Sequence, residues 1–95
     1  MMDRKRRNSM EIVIDILETC KGGATKTAIV YETNINFILA KRYIDYLMNA
    51  GFLQVVKQQN SLYLTTEKGT EVVENYIRLG RLLQEGQIEE APYAS

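Results

Sequence analysis

Residues 36–51 carry the signals of a complete amphipathic helix, and this stretch limits the folds open to the chain. Asn36 is a favourable N-cap because its side-chain oxygen can accept from an amide two or three residues later. Gly51 is a favourable stop because glycine enters the left-handed conformation at little cost. At about 100° per residue, the helix has an apolar and a polar side. The apolar side, predicted to face a core, holds Phe37, Ala40, Tyr43, Ile44, Leu47 and Met48. The polar side holds Ile38, Lys41, Arg42, Asp45 and Asn49.

The rest of the chain predicts three more helices and one β-hairpin. Apolar residues of the first helix recur at Met10, Val13, Ile14 and Leu17, with Ser9 as the expected cap. A break rich in Asn and Thr precedes the third helix, as in a tight turn. Asn60 tolerates a positive φ angle, which places the hairpin tip near Gln59 and Asn60. The predicted helices cover residues 9–20, 24–33, 36–50 and 67–87, and the predicted strands cover 52–57 and 62–65.

The composition is that of one small globular domain. The chain has 95 residues, of which 45% are hydrophobic and 25% are charged, as in ordinary globular proteins. No apolar run reaches the roughly 18 residues that a membrane span needs, and a cytoplasmic location is expected. Cys20 is the sole cysteine, so no internal disulfide forms, and a buried position is expected.

The sequence lacks the residue patterns of a catalytic site, a metal site or a phosphate-binding loop. The chain has no histidine, no Cys, Asp and Glu cluster at metal-ligand spacing, and no glycine-rich phosphate loop. No nucleophile stands beside a base. We therefore expect no enzyme activity, no cofactor and no metal.

Charge is distributed unevenly although the net charge is zero. Residues 1–66 carry nine Lys or Arg against six Asp or Glu, whereas residues 67–95 carry three against six. This split favours an anionic partner for the first part. Arg4, Lys5, Arg6 and Arg7 form a basic tail, which either contacts phosphates or only aids solubility.

In this order the elements resemble the winged-helix family, and more narrowly the small archaeal winged-helix proteins that dimerise through a C-terminal helix. Three blocks carry the resemblance: residues 12–27, 40–47 and 62–69. It implies a mainly α fold with a small β-hairpin, a winged helix-turn-helix of order α-α-α-β-β-α. It also implies binding of double-stranded DNA by a homodimer, with the third helix in the major groove and the hairpin, or wing, on flanking phosphates.

The candidate DNA-binding residues lie in three places. Lys and Arg can pair with guanine, and Asn with adenine, although each group is also open to a purely structural interpretation as a solvated face or a helix cap. The candidates are Thr25, Lys26 and Thr27 at the second helix, Asn36, Ile38, Lys41 and Arg42 at the third, and Lys57, Gln59 and Asn60 at the wing.

The last helix is predicted to dimerise the protein. A helix of some 20 residues is about 30 Å long, so its distal half overhangs a core of this size. An exposed apolar overhang favours an identical partner helix, although packing on the chain's own core is the alternative. The candidate dimerisation residues are Val72, Val73, Tyr76, Leu79, Gly80 and Leu83.

These expectations divide the chain into a disordered basic tail (1–8), a winged-helix domain (9–66), a dimerisation helix (67–87) and an acidic tail (88–95). The function they favour is that of a homodimeric DNA-binding protein, a transcriptional regulator. The alternative is a winged-helix module that binds another protein and no DNA.

Overall fold

The computed structural model describes residues 8–57 and 59–85. The basic tail at Arg4–Arg7 and the acidic tail from residue 88 lie outside this range. Four helices and one antiparallel hairpin follow in the order α-α-α-β-β-α, which confirms the predicted winged-helix architecture. The elements are α1 (Ser9–Thr19), α2 (Lys26–Thr33), α3 (Phe37–Asn49), β1 (Leu53–Lys57), β2 (Ser61–Thr65) and α4 (Glu67–Glu85).

All four helices begin with a side chain that accepts a hydrogen bond from the amide three residues later. Asn36 caps α3 by accepting from the Leu39 amide at 2.7 Å, as the sequence predicted. The expected cap of α1 was wrong, because Asn8 accepts from the Glu11 amide at 2.8 Å and Ser9 is already helical. The other two caps are Thr25 for α2 and Thr66 for α4.

Helix α2 begins two residues later than predicted, because Ala24 forms an isolated β-bridge with Tyr63 of β2. Its amide donates to the Tyr63 carbonyl oxygen at 3.0 Å, and its carbonyl oxygen accepts from the Tyr63 amide at 2.8 Å. This bridge fixes the start of α2 against β2. At the other end of α2, Asn34 adopts the left-handed conformation, with φ of 60°, and turns the chain into α3.

The core surrounds α1, which contacts α2, β2 and α4. Because it is covered on several sides, Ile12 and Ile16 are buried as well as the predicted Ile14 and Leu17. Met10, expected in the apolar stripe, is 49% exposed at the uncovered end of the helix. The buried apolar residues are Ile12, Ile14, Ile16, Leu17, Cys20, Ala24, Ile29, Ala40, Ile44, Leu47, Leu53 and Val73.

Helix α3 inserts most of its predicted apolar side into this core. Ala40, Ile44 and Leu47 are buried, and Tyr43 and Met48 pack against the core. The prediction for Phe37 was wrong, because its ring is 52% exposed. Phe37 is the first helical residue, so no earlier turn shields it and the core begins one turn later, at Ala40.

The hairpin is clamped to the helices at its base. Leu53 pairs with Thr65 and Lys57 pairs with Ser61, so the two strands are paired over their full length. The Thr65 amide donates to the Cys20 carbonyl oxygen at 3.0 Å, and its hydroxyl donates to the Leu17 carbonyl oxygen. The tip therefore projects from a base that is fixed to α1.

Helix α4 touches the domain only with its first two turns. Gly69 and Val73 are buried and Val72 packs against the core, whereas every residue from 74 to 84 is exposed in the single chain. Val73, predicted at the dimer interface, belongs instead to the domain's own core, because it lies within the part of α4 that crosses α1. No described helix combines the length and the apolar character needed to cross a membrane.

Candidate nucleic-acid interface

The exposed side of α3 presents an isoleucine between two cations. Ile38 is 74% exposed, and Lys41 and Arg42 follow it at i+3 and i+4, so the three side chains are neighbours on the helix surface. Asp45 lies on the same side and accepts a hydrogen bond from Lys41 Nζ at 2.8 Å. The one carboxylate on the exposed side of α3 is thus held by a neighbouring cation.

The ion pair fixes the charge of Lys41. The hydrogen bond to Asp45 and the charge of that carboxylate raise the pKa of Lys41, and the nearby Tyr63 phenol adds a smaller contribution in the same direction. Lys41 is therefore cationic throughout the physiological range.

The side chain of Asn36 has a structural role as the N-cap of α3. Its side-chain oxygen accepts from the Leu39 amide, which holds the side chain at the N-terminal end of α3. The cap uses the oxygen as an acceptor, and the NH2 group is the donor that can still reach a ligand. A bidentate pairing with adenine needs both atoms, so Asn36 is better suited to a single donated hydrogen bond.

The start of α2 and the wing, predicted as separate sites, lie together. A shallow cavity of about 490 Å³ between them is lined by Thr25, Lys26, Thr27, Asn60, Ser61 and Tyr63. A smaller one of about 330 Å³ is lined by Thr25, Gln59, Asn60 and Leu62. The Ala24–Tyr63 bridge is the reason for this juxtaposition. Thr25 Oγ1 accepts from the Ala28 amide at 3.1 Å, so capping of α2 is established whether or not the residue also meets a phosphate.

Lys57 stands next to this surface. It is exposed and pairs with Ser61 as the last residue of β1. It is the only cation that the described part of the wing carries. The wing surface is therefore polar but only weakly basic, with hydroxyl and amide groups as its main donors.

Sequence reasoning missed two exposed aromatic residues, one on α2 and one on α3. Tyr31 on α2 is 82% exposed, and Tyr46 on α3 is 59% exposed. Tyr46 joins Arg42 and Tyr43 along a groove of about 490 Å³ between α1 and α3, whose other lining residues are Ser9, Met10, Val13 and Leu39. The i, i+4 spacing of Arg42 and Tyr46 was the available signal, because it places both on one side of the helix.

Within residues 8–57 and 59–85, His, Cys, Asp and Glu form no group of three or more suited to holding a metal ion. Cys20 is free and fully buried, as expected. Desolvation raises the pKa of its thiol to about 12. The thiol is therefore protonated at neutral pH and packs as a small apolar side chain.

Comparisons with known proteins agree with this geometry. The profile of the winged helix-turn-helix family matches residues 6–84. An uncharacterized protein from Methanocaldococcus jannaschii is 30% identical over 81 residues, which are 84% of this chain and 80% of the relative.

Solved structures give the same result. The chain is similar to Sso10a-2, a DNA-binding protein from Sulfolobus solfataricus, with a TM-score of 0.71 and 28% identity over 94% of this chain and 98% of that one. MepR, a transcription regulator of the Staphylococcus aureus multidrug efflux pump MepA, gives a TM-score of 0.72 at 9% identity over 94% and 69%, a likeness of fold alone. On the family match and the shared architecture, this chain belongs to the winged helix-turn-helix family.

Proposed function

We propose that this protein is a homodimeric double-stranded DNA-binding protein that regulates transcription. One observation carries the proposal: the start of α2 and the wing form one polar surface, and the exposed side of α3 carries two neighbouring cations. Lys26, Lys41, Arg42 and Lys57 supply the positive charge of these three elements. Sso10a-2, which shares nearly the full length of this chain, is a DNA-binding protein.

Helix α3 enters the major groove by its N-terminal end. Positive charge sits at Lys41 and Arg42, whereas Asp45 lies one turn later, where a carboxylate would repel phosphate. The N-terminal end also carries the positive pole of the helix dipole. In this orientation Lys41 and Arg42 contact backbone phosphates or base edges, and the wing rests on the adjacent strand.

Dimerisation is proposed through the distal half of α4. Exposed apolar side chains of this size seldom remain uncovered in a stable soluble protein. An antiparallel copy of α4 would cover them and set the two α3 helices on successive turns of one DNA face, about 34 Å apart or a multiple of it. The exposed apolar residues on the side to be covered are Tyr76, Leu79 and Leu83, whereas Ile77 and Leu82 lie further round the helix.

A protein-binding module is the second candidate function. The zero net charge and the single lysine of the described wing favour it, because wings that bind DNA rely on phosphate contacts. In that case the exposed surfaces of α3 and α4 would meet a protein, and duplex DNA would leave the amide NMR spectrum unchanged at low salt.

Fluorescence anisotropy with a labelled duplex over a salt series tests DNA binding. We expect the affinity to fall steeply with salt, and we expect K41A/R42A to weaken binding at least tenfold at low salt. The double variant should also flatten the log–log slope by roughly 0.9 for each phosphate that the protein no longer neutralises. Equal binding by the double variant and the native chain would reject this interface.

Sedimentation equilibrium tests the dimer. Leu83→Glu introduces a charge on the side of α4 that carries Tyr76 and Gly80, and we expect it to produce monomers, because a charge buried without a partner is strongly disfavoured. Leu82→Glu is the matched control, since Leu82 lies more than a quarter-turn away from that side. A native chain that stays monomeric at high concentration would refute the homodimer.

A further inference from the structure

We infer that α3 recognises the C5 methyl groups of thymine through Ile38, with Phe37 beside it. The inference rests on the proposed function, since it concerns what the DNA-facing end of α3 reads. It assigns base recognition to apolar contact rather than to the cations of the helix.

The first turn of α3 holds no charged side chain. Residues 37–40 are Phe, Ile, Leu and Ala, of which Ala40 is buried and Leu39 is partly buried. Phe37 and Ile38 are 52% and 74% exposed. A helix that enters the groove by this end therefore brings two apolar side chains to the base edges first.

The surroundings of Ile38 identify DNA as the surface that covers it. Lys41 and Arg42 flank it on the next turn, and the carboxylate on this side of α3, Asp45, is paired with Lys41 at 2.8 Å. An apolar side chain between two cations is poorly suited to an apolar protein groove. It suits the major groove, where thymine methyl groups lie between the phosphate backbones of the two DNA strands.

Asn36 complements this contact. Its oxygen serves as the cap of α3, so its NH2 group is the donor that can meet an acceptor on a base edge, such as thymine O4. The hydrogen bond from Asn36 is compatible with thymine O4 but also with purine N7 and guanine O6, so the preference for A·T-rich sites rests on the methyl contact of Ile38. Lys41 and Arg42 are assigned to phosphates.

Deoxyuridine tests the inference because it differs from thymidine only by lacking that methyl group. Anisotropy would compare two duplexes of about 30 base pairs, long enough for both half-sites, one of alternating A and T and one of alternating A and U. The native chain is expected to bind the methylated duplex at least about fourfold more tightly, the effect of burying one methyl group.

Two variants complete the design. Ile38→Ala removes an exposed side chain from a helix that tolerates alanine, and it is expected to bind both duplexes equally. Lys41→Ala is the matched control, expected to lose affinity for both duplexes while keeping the preference for thymine.

The outcomes separate this inference from the proposed function. Equal binding of both duplexes by the native chain, or a thymine preference that survives Ile38→Ala, overturns the inference while the salt-dependent DNA binding stands. A chain that binds neither duplex, but whose Ile38 surface docks on a protein, overturns both.

Discussion

Ala24 and Tyr63 exchange two backbone hydrogen bonds, with N···O distances of 3.0 and 2.8 Å, across 39 positions of sequence. This one-residue bridge adds a third element to the hairpin at the point where α2 starts. Thr25, Lys26 and Thr27 are consequently held beside Asn60 at the wing tip. Two candidate sites that are remote in sequence thus become one polar surface.

Removing a cation from this surface should weaken DNA binding for all sequences alike. We expect Lys26→Ala and Lys57→Ala each to reduce the log–log salt slope by about 0.9 per protomer, because a phosphate contact releases condensed counterions. Arg81→Ala in the distal half of α4 is the matched control and should leave the slope unchanged. Slopes from anisotropy titrations give the answer, and an unchanged slope for both variants would exclude the wing surface from the interface.

Neutralising Asp45 should strengthen DNA binding. Asp45→Asn removes a carboxylate from the exposed side of α3 and frees Lys41 from its 2.8 Å ion pair, so we expect a several-fold higher affinity at low salt that fades as salt is added. The pKa of Lys41 should fall towards its ordinary value, because the variant removes the hydrogen bond and the charge that raise it. Glu74→Gln on α4 is the control for the change in net charge. A lower affinity for Asp45→Asn would show that Asp45 itself contacts a base, such as cytosine N4.

Alanine at position 69 should destabilise the fold even though alanine favours helices. An added Cβ would collide with the Phe52 carbonyl oxygen and lie 2.7 Å from Thr65 Cγ2, so α4 would have to move away from the hairpin base. We expect a loss of about 1–3 kcal/mol in the free energy of unfolding, the usual range for overpacking. Denaturant titration measures it, with Gly22→Ala as control, since nothing lies within 4 Å of that position. Equal stability of the two variants would show that the contact between α4 and the hairpin base is looser than described.

The thiol of Cys20 should be inert in the folded protein. Because burial raises its pKa to about 12, a thiol reagent at pH 8 should modify it only after unfolding. Between about pH 9 and about pH 12, the thiol of Cys20 is protonated in the folded protein and deprotonated in the unfolded chain. The contribution of Cys20 to stability is therefore fully present below about pH 9 and declines above it, by up to about 1.4 kcal/mol per pH unit. Cys20→Ala supplies the reference, and the difference between the two unfolding curves should grow only above pH 9. Rapid labelling of the native protein would contradict the burial.

Local signals in the sequence predicted much of this fold. The Asn36 cap and the stop at Gly51, where φ is 86°, were predicted correctly because both depend on neighbouring residues only. The position of the hairpin tip near Gln59 and Asn60 followed from a similar local rule.

Most of the errors have a different cause, which is the presence or absence of contact with remote segments. Ala24 left α2 because Tyr63 offered it a partner, and Val73 entered the core because α4 crosses α1. Met10 and Phe37 fit the helical periodicity but lie beyond the edges of the core. Periodicity identifies the apolar side of a helix. It does not show which part of the helix is in contact with the rest of the protein. The joint surface formed by the start of α2 and the wing could not be predicted either, because it depends on the contact between Ala24 and Tyr63.

A single residue, Thr66, separates the wing from α4, and it is held on both sides. Its hydroxyl donates to the Gly51 carbonyl oxygen at 2.6 Å and accepts from the Gly69 amide at 3.1 Å, and its own amide donates to the Phe52 carbonyl oxygen at 3.0 Å. Strand β2 and helix α4 are thus joined by one residue, and three hydrogen bonds fix the position of that residue. A change in the direction of α4 at Thr66 would therefore act directly on the base of the hairpin.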